Sequence, residues 1–217
     1  MPTLRPALRF GALAAVLALG LVACAEKGGD APKDAATEAA PLIEGSWALD
    51  PTGSRLSYVS IKAGEIAEAN RFDKLTGSVA ADGTATLDID LASVNTGVDI
   101  RNERMREIFF QVADNPKAIV TAKLDPAAFA GLAVGQSLTR PLKATVALKG
   151  ATSEVETEVL VTRVSADRVT VVPTAPVIIS TDMFGLTDEL GELRALAQLP
   201  SITPAVPVTF TLAFNRS

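Results

Sequence analysis

The amino-acid sequence predicts an all-β fold, an antiparallel meander of about eight strands with short helices covering it. Three observations lead to this prediction. Apolar residues recur at every second position in several segments, turn-forming residues separate these segments, and only two stretches have the spacing or composition of a helix. Because exposed sheet edges promote aggregation, a meander of this length is expected either to close into a barrel or to fold as a sandwich.

The clearest predicted element is a hairpin formed by residues 142–148 and 155–161. In both segments apolar side chains occupy alternate positions, as in strands whose two faces meet different environments. Residues 149–152, with the sequence Lys-Gly-Ala-Thr, form the turn between them. Residues 86–91 have the same period. Further strands are predicted at 54–61, 72–79, 118–124, 168–179 and 206–214.

Two segments have helical character. Residues 99–112 carry Ile100, Arg104, Ile108 and a pair of phenylalanines at helix-like spacing, and residues 189–198 are helix-forming in composition and end before Pro200. Both are expected to lie over the sheet as covering helices.

A barrel of about eight strands is either filled by its own side chains or holds one ligand. Most inward-facing residues here are small aliphatic ones, and aromatic residues make up 5% of the chain, so we expect room for an apolar chain. The alternative is a packed barrel without a ligand. Alternation places the candidate lining residues on one face: Leu87, Ile89, Val146, Val159, Phe210 and Leu212.

The N-terminal segment has the features of a bacterial lipoprotein leader. Arg5 and Arg9 precede an uncharged run at 10–22 that is too short for a comfortable membrane span. Leu-Val-Ala then leads into Cys24, the only cysteine, as in a lipobox. We therefore predict a signal peptide at 1–23, lipid on Cys24, and a membrane-anchored protein that does not span the membrane. An ordinary secretory signal is the alternative.

Residues 24–44 are predicted to be a lipidated cysteine followed by a flexible tether, because they are rich in Ala, Gly, Pro, Lys, Glu and Asp. Ala25 stands where an aspartate would favour inner-membrane retention, so we expect a periplasm-facing protein of the outer membrane rather than the inner one. The folded domain is predicted at 45–217.

Composition narrows the possible functions. Loss of the leader removes two of the 20 Lys and Arg residues and no acid, which leaves 18 against 25 acids, a net charge of −7, and this argues against binding nucleic acid. The chain has no histidine and no second cysteine, so it lacks the commonest general base and metal ligand and cannot form an internal disulfide. We expect neither an enzyme nor a cofactor or metal.

Several segments occur in the order found in the YceI-like family. Trp47 opens a stretch that resembles the first family strand, and the segment from Ala92 through Arg101 to Phe109-Phe110 resembles the family's helix-containing motif. Asn102 and Arg104 stand where the family has Asp and His. The remaining similar segments are 54–58, 72–77, 115–119, 148–152 and 178–185.

This resemblance implies a lipocalin-like antiparallel barrel with helical cover that binds a long polyisoprenoid or a similar, quinone-like lipid non-covalently. It suggests that Arg101 meets a polar head group, and that Phe109 and Phe110 plug the core or touch the ligand. The expected role is that of a carrier or reservoir, or a stress-related one. The alternative is an envelope interaction or scaffold protein with a packed barrel, and the sequence identifies no protein partner.

Overall fold

The structure is a computed structural model, and it describes residues 45–217. The predicted signal peptide, Cys24 and the tether lie outside the described residues. The described residues form twelve strands: β1 (Trp47–Leu49), β2 (Arg55–Lys62), β3 (Ile66–Phe72), β4 (Leu75–Val79), β5 (Thr84–Asp90), β6 (Val94–Asn95), β7 (Lys117–Lys123), β8 (Ser137–Leu148), β9 (Ala151–Ser165), β10 (Arg168–Pro173), β11 (Val177–Ser180) and β12 (Ala205–Arg216).

The twelve strands make a closed antiparallel barrel of eight, because four barrel strands are interrupted along their length. Two consecutive segments make up each interrupted barrel strand: β1 and β2, β3 and β4, β5 and β6, and β10 and β11. Each barrel strand pairs with its neighbours in sequence, and β12 closes the ring by pairing with β1 on one side and β10 on the other. This confirms the predicted all-β, lipocalin-like barrel and rules out the sandwich.

The predicted hairpin is formed by β8 and β9, which pair over twelve positions from Ser137 opposite Thr162 to Leu148 opposite Ala151. Its turn is two residues long rather than the four predicted. Lys149 and Gly150 both have positive φ, 49° and 77°. Such a turn matches the twist of the strands it connects and requires the left-handed region, where a glycine is favoured.

Two helices are present at the predicted places, α1 (Asp99–Arg104) and α2 (Thr187–Leu196). A π-helical turn, Met105–Phe109, continues α1, and the Phe110 amide donates to the Met105 carbonyl at 2.9 Å. Three short 3-10 segments complete the fold at Leu91–Ser93, Pro126–Phe129 and Thr181–Phe184. Within residues 45–217 the helices are too short or too polar for any to cross a bilayer.

One end of the barrel, which we call the closed end, is filled by side chains. Trp47 is buried at the start of β1, and the Arg216 guanidinium lies 5.2 Å from the centre of its ring. Arg163 is 2% exposed and donates through Nη1 to the Leu132 carbonyl at 3.1 Å. Since a buried cation is costly without acceptors, this contact satisfies part of its hydrogen-bonding need. Val169 packs in the same core.

Two strand predictions are corrected by the structure. The predicted strand at 168–179 is two strands, separated by residues 174–176 around Pro176. The strand predicted at 72–79 is divided by a bend at Asp73, and β3, which runs before it, was not predicted.

Candidate ligand-binding cavity

A cavity of about 840 Å³ occupies the barrel interior. Closely packed protein cores contain few voids larger than a water molecule, whereas small-molecule pockets commonly measure about 300–1,000 Å³. The barrel is therefore not filled by its own side chains, contrary to the packed alternative. Its wall is predominantly aliphatic because the inward faces of most strands carry Val, Leu, Ile or Ala.

All nine residues that the sequence analysis named as ligand-binding candidates line this cavity. Leu87, Ile89, Val159 and Leu212 are buried in the wall, and Val146 and Phe210 are partly buried there. The other three are on the cover. The structure thus brings together Leu87, Ile89, Val146, Val159, Phe210, Leu212, Arg101, Phe109 and Phe110. Their contact with a ligand stays a prediction.

The cavity opens at the end of the barrel opposite the closed end. Val98, Ile100 and Leu196 line it and are nevertheless 40%, 52% and 46% exposed, so they form an apolar rim. We call this opening the mouth. Arg104 crosses it by donating through Nη1 to the Leu196 carbonyl at 3.4 Å, which connects α1 to the C-terminal end of α2.

Aromatic contacts fix the cover on the barrel wall. Phe109 and Phe110 pack edge to face with ring centres 5.0 Å apart. Phe110 is buried and lies 5.8 Å from Phe72 of β3, which in turn lies 5.8 Å from Tyr58 of β2. Aromatic pairs at these separations stabilise beyond their buried area. Phe110 therefore anchors the cover, while Phe109, only partly buried, borders the cavity.

Polar residues form a strip on the cavity wall near the mouth. The inward side chains of β2 and β3 are opposite one another in the pairs Tyr58 with Asn70 and Ser60 with Glu68, and Lys62 lies at the outer end. We call these five residues the polar strip. Polarity decreases with depth along it, since the charged residues are nearest the mouth and the next inward pair, Leu56 and Phe72, is apolar.

Glu68 is held by two cations. Its Oε1 is 2.9 Å from Lys62 Nζ, and its Oε2 is 2.6 Å from Arg101 Nη1 on α1. The hydrogen bond from Lys62, together with Arg101, keeps the pKa of Glu68 below its ordinary value, so the carboxylate is ionised at neutral pH. Arg101 is thus ion-paired to the wall rather than solvated, and it joins α1 to β3.

Asn70 lies one step deeper and is 3% exposed. Its Nδ2 donates to Ser60 Oγ at 3.0 Å and to the Glu68 carbonyl at 3.1 Å. Its Oδ1 is buried and has no hydrogen-bond partner within residues 45–217. Burial also raises the pKa of Tyr58 opposite, so the Tyr58 hydroxyl retains its proton throughout the neutral range.

Apart from Arg101, the polar residues near the mouth were missed by the sequence analysis. The signal existed in the alternation of Tyr58, Ser60 and Lys62 along one face of β2. On β3 the pattern is inverted, because small Ala67 and Ala69 face outward while Glu68 and Asn70 face inward.

An eight-stranded antiparallel barrel around an open, largely apolar cavity belongs to the class of lipocalin-like barrels. The YceI-like domain profile matches residues 47–214, and the chain belongs to this family.

Solved structures of two other proteins are among those similar to the chain. One is described as a polyisoprenoid binding domain from Saccharophagus degradans implicated in plant cell wall breakdown; it is 41% identical, with 79% of this chain and 98% of that one covered and a TM-score of 0.77. The other, BcnA from Burkholderia cenocepacia, is 21% identical, with 76% and 98% covered and a TM-score of 0.59, and supports the fold alone. No curated protein sequence matches significantly.

Proposed function

We propose that this protein binds a polyisoprenoid or similar quinone-like lipid non-covalently in its barrel and acts as a carrier or reservoir for it. The observation that carries this proposal is the open cavity of about 840 Å³ with a largely aliphatic wall. The binding property named for the 41% identical Saccharophagus degradans domain supports it. Non-covalent binding, rather than catalysis, is the activity proposed.

The wall supplies enough apolar surface to hold such a chain. Burial contributes about 25 cal/mol per Å², so a chain that buries about 400 Å² gains roughly 10 kcal/mol before the cost of association is subtracted. The mouth suits entry of a long chain, because Val98, Ile100 and Leu196 continue the apolar wall outward to the rim.

The proposal includes anchoring of the protein in the cell envelope by lipid on Cys24, most simply at the outer membrane and facing the periplasm. Its support is the lipobox-like sequence before Cys24. The variant Cys24→Ser should lose incorporation of labelled palmitate, because acylation needs the thiol. Equal labelling of parent and variant would refute the anchor without affecting the barrel.

Lipid binding is tested on the mature chain with Cys24→Ser, exported behind a signal peptide that does not direct lipid attachment. Organic extraction of the purified protein and mass spectrometry should find a polyprenyl lipid near one equivalent. A variant with Val159→Trp, which fills the cavity from β9, serves as the control and should carry much less. A parent protein that carries no lipid, and takes up none when it is offered, would leave the scaffold function instead.

A further inference from the structure

The orientation of the Asn70 amide is fixed by its surroundings. The oxygen and nitrogen of an asparagine amide are told apart by their hydrogen-bond partners. The Glu68 carbonyl accepts hydrogen bonds and cannot donate one. The atom 3.1 Å from that carbonyl is therefore the amide nitrogen. The second bond of this nitrogen, to Ser60 Oγ, is also directed at a residue nearer the mouth. Oδ1 consequently lies on the opposite side of the amide, and it is an acceptor.

A buried acceptor without a donor is unfavourable, and most such atoms in folded proteins are paired. Asn70 lines the cavity, is 3% exposed, and keeps Oδ1 without a partner within the described chain. The neighbouring Tyr58 on β2 also lines the cavity. A protonated phenol supplies both a donor and an acceptor to a group placed between the two strands.

The charges of the polar strip are already engaged. Glu68 accepts from both Lys62 and Arg101, so two cations face one carboxylate that is itself ionised. Glu68 and Lys62 lie nearer the mouth than Asn70 along β2 and β3, and Arg101 reaches Glu68 from α1. At the depth of Asn70 the wall offers an unpaired oxygen and a phenol, and an ionised phosphate there would place negative charge against that oxygen in a poorly solvated site.

We propose that Asn70 and Tyr58 form a head-group site for a neutral, hydroxyl-bearing lipid. This inference rests on the proposed function and specifies its ligand class. The ligand hydroxyl donates to Asn70 Oδ1 and accepts from the Tyr58 hydroxyl, while its apolar chain follows the aliphatic wall. Isoprenoid alcohols and reduced, phenolic quinones have this chemistry. Their phosphate esters do not.

The test compares three probes of the same chain length: a C20 isoprenoid alcohol, the C20 hydrocarbon without the hydroxyl, and the monophosphate ester. Binding to the mature Cys24→Ser chain is measured by displacement of a fluorescent fatty acid. The parent should bind the alcohol at least about tenfold more tightly than the hydrocarbon, because the hydroxyl makes two hydrogen bonds. It should bind the phosphate more weakly than the alcohol.

Asn70→Leu keeps the side-chain size and removes the acceptor, so it should lower the preference for the alcohol at least threefold. Tyr58→Phe keeps the ring, is the safer substitution for folding, and should lower the preference for the alcohol at least twofold. Ser57→Ala is the matched control, because Ser57 is on the same strand but bonds outward to Thr209 at 3.2 Å. It should behave as the parent does.

An alcohol preference that is unchanged in both Asn70→Leu and Tyr58→Phe would overturn the inference. So would tighter binding of the phosphate that is lost in Lys62→Met, which would indicate an anionic head at the mouth. In both cases the hydrocarbon would still bind, and the proposed lipid-binding function would stand. If none of the three probes bound the parent, the proposed function itself would fail.

Discussion

The two ends of the barrel are built from the same strands but have opposite interiors. At the closed end Trp47, Val169 and Arg163 are buried and do not border the cavity. Towards the mouth inward-facing residues such as Val146 line the cavity instead, and the rim exposes Ile100. The alternation of strand residues therefore decides which side chains face inward, but it does not decide whether they form a core or line a cavity.

The largest effect is expected at the closed end. Trp47→Ala removes a buried indole and its contact with Arg216, and should lower the free energy of unfolding by about 3–5 kcal/mol. Val98→Ala, at the exposed rim of the mouth, should change it by less than about 0.5 kcal/mol. Chemical denaturation measures both. Equal losses would mean that the two ends contribute alike to stability.

Enlarging a valine should have opposite consequences in the two regions. Val169→Phe overpacks the core, because Val169 is buried and does not border the cavity, and should cost about 1–3 kcal/mol of stability. Val146→Phe extends into open space and should leave the melting temperature nearly unchanged while reducing the lipid retained. A Val146→Phe protein as destabilised as Val169→Phe would indicate a filled barrel.

Acid should remove stabilising ion pairs at both ends of the barrel. Hydrogen bonds from Lys62 and Arg101 lower the pKa of Glu68 from 4.5, so the folded protein binds fewer protons than the unfolded chain in this range. The contribution of Glu68 is thus complete above about pH 4.5 and lost as the pH falls through the lower, folded value. The melting temperature of Glu68→Gln should therefore approach that of the parent between pH 6 and pH 3.

Asp50 gives the matched measurement at the closed end. Hydrogen bonds from Thr52 and Arg168 lower its pKa, and Arg168 Nη2 is 2.8 Å from Asp50 Oδ2. Asp50→Asn should likewise converge with the parent in acid. Only Glu68→Gln should also alter lipid binding, since Glu68 lines the cavity and Asp50 does not. If the difference in melting temperature between each variant and the parent stayed constant across this pH range, the ion pairs would not contribute to stability as described.

The smallest effect on stability is expected from Arg104, whose hydrogen bond to the Leu196 carbonyl is long and exposed. Arg104→Ala should change the free energy of unfolding by less than about 0.5 kcal/mol, yet increase the rate of lipid release, because it disconnects α1 from α2 across the mouth. Stopped-flow transfer to vesicles measures this rate. Arg194→Ala, an exposed change on α2, is the control and should leave it unaltered.

Most of the barrel could be predicted from the sequence because apolar and polar residues alternate along most of its strands. The predicted strand at 118–124 differs from β7 by one residue at each end. The six candidates on strands line the cavity because the alternation fixes their inward face, whereas Arg101, Phe109 and Phe110 on the cover were expected only from the family resemblance. Cavity volume could not be predicted, since it depends on the separation of strands far apart in the chain.

The polar strip was missed for a specific physical reason. Period-based prediction assumes that the inward face is the apolar one, and β3 reverses this near the mouth, where Glu68 and Asn70 face inward. The pairing of Glu68 with Arg101 joins residues 33 positions apart. Such a contact follows from tertiary structure and leaves no local signature.

The pairing of β1 with β12 also determines when the cavity comes into existence. The β8–β9 hairpin closes across only two residues, so its loop-closure entropy is small, whereas the pairing of Trp47 with Arg216 closes a loop of nearly the whole described chain. Contacts between distant segments slow folding, so joining the two ends of the chain is expected to be the late step. Until then the sheet is an open ribbon with two free edges, and the ligand compartment has no wall on that side.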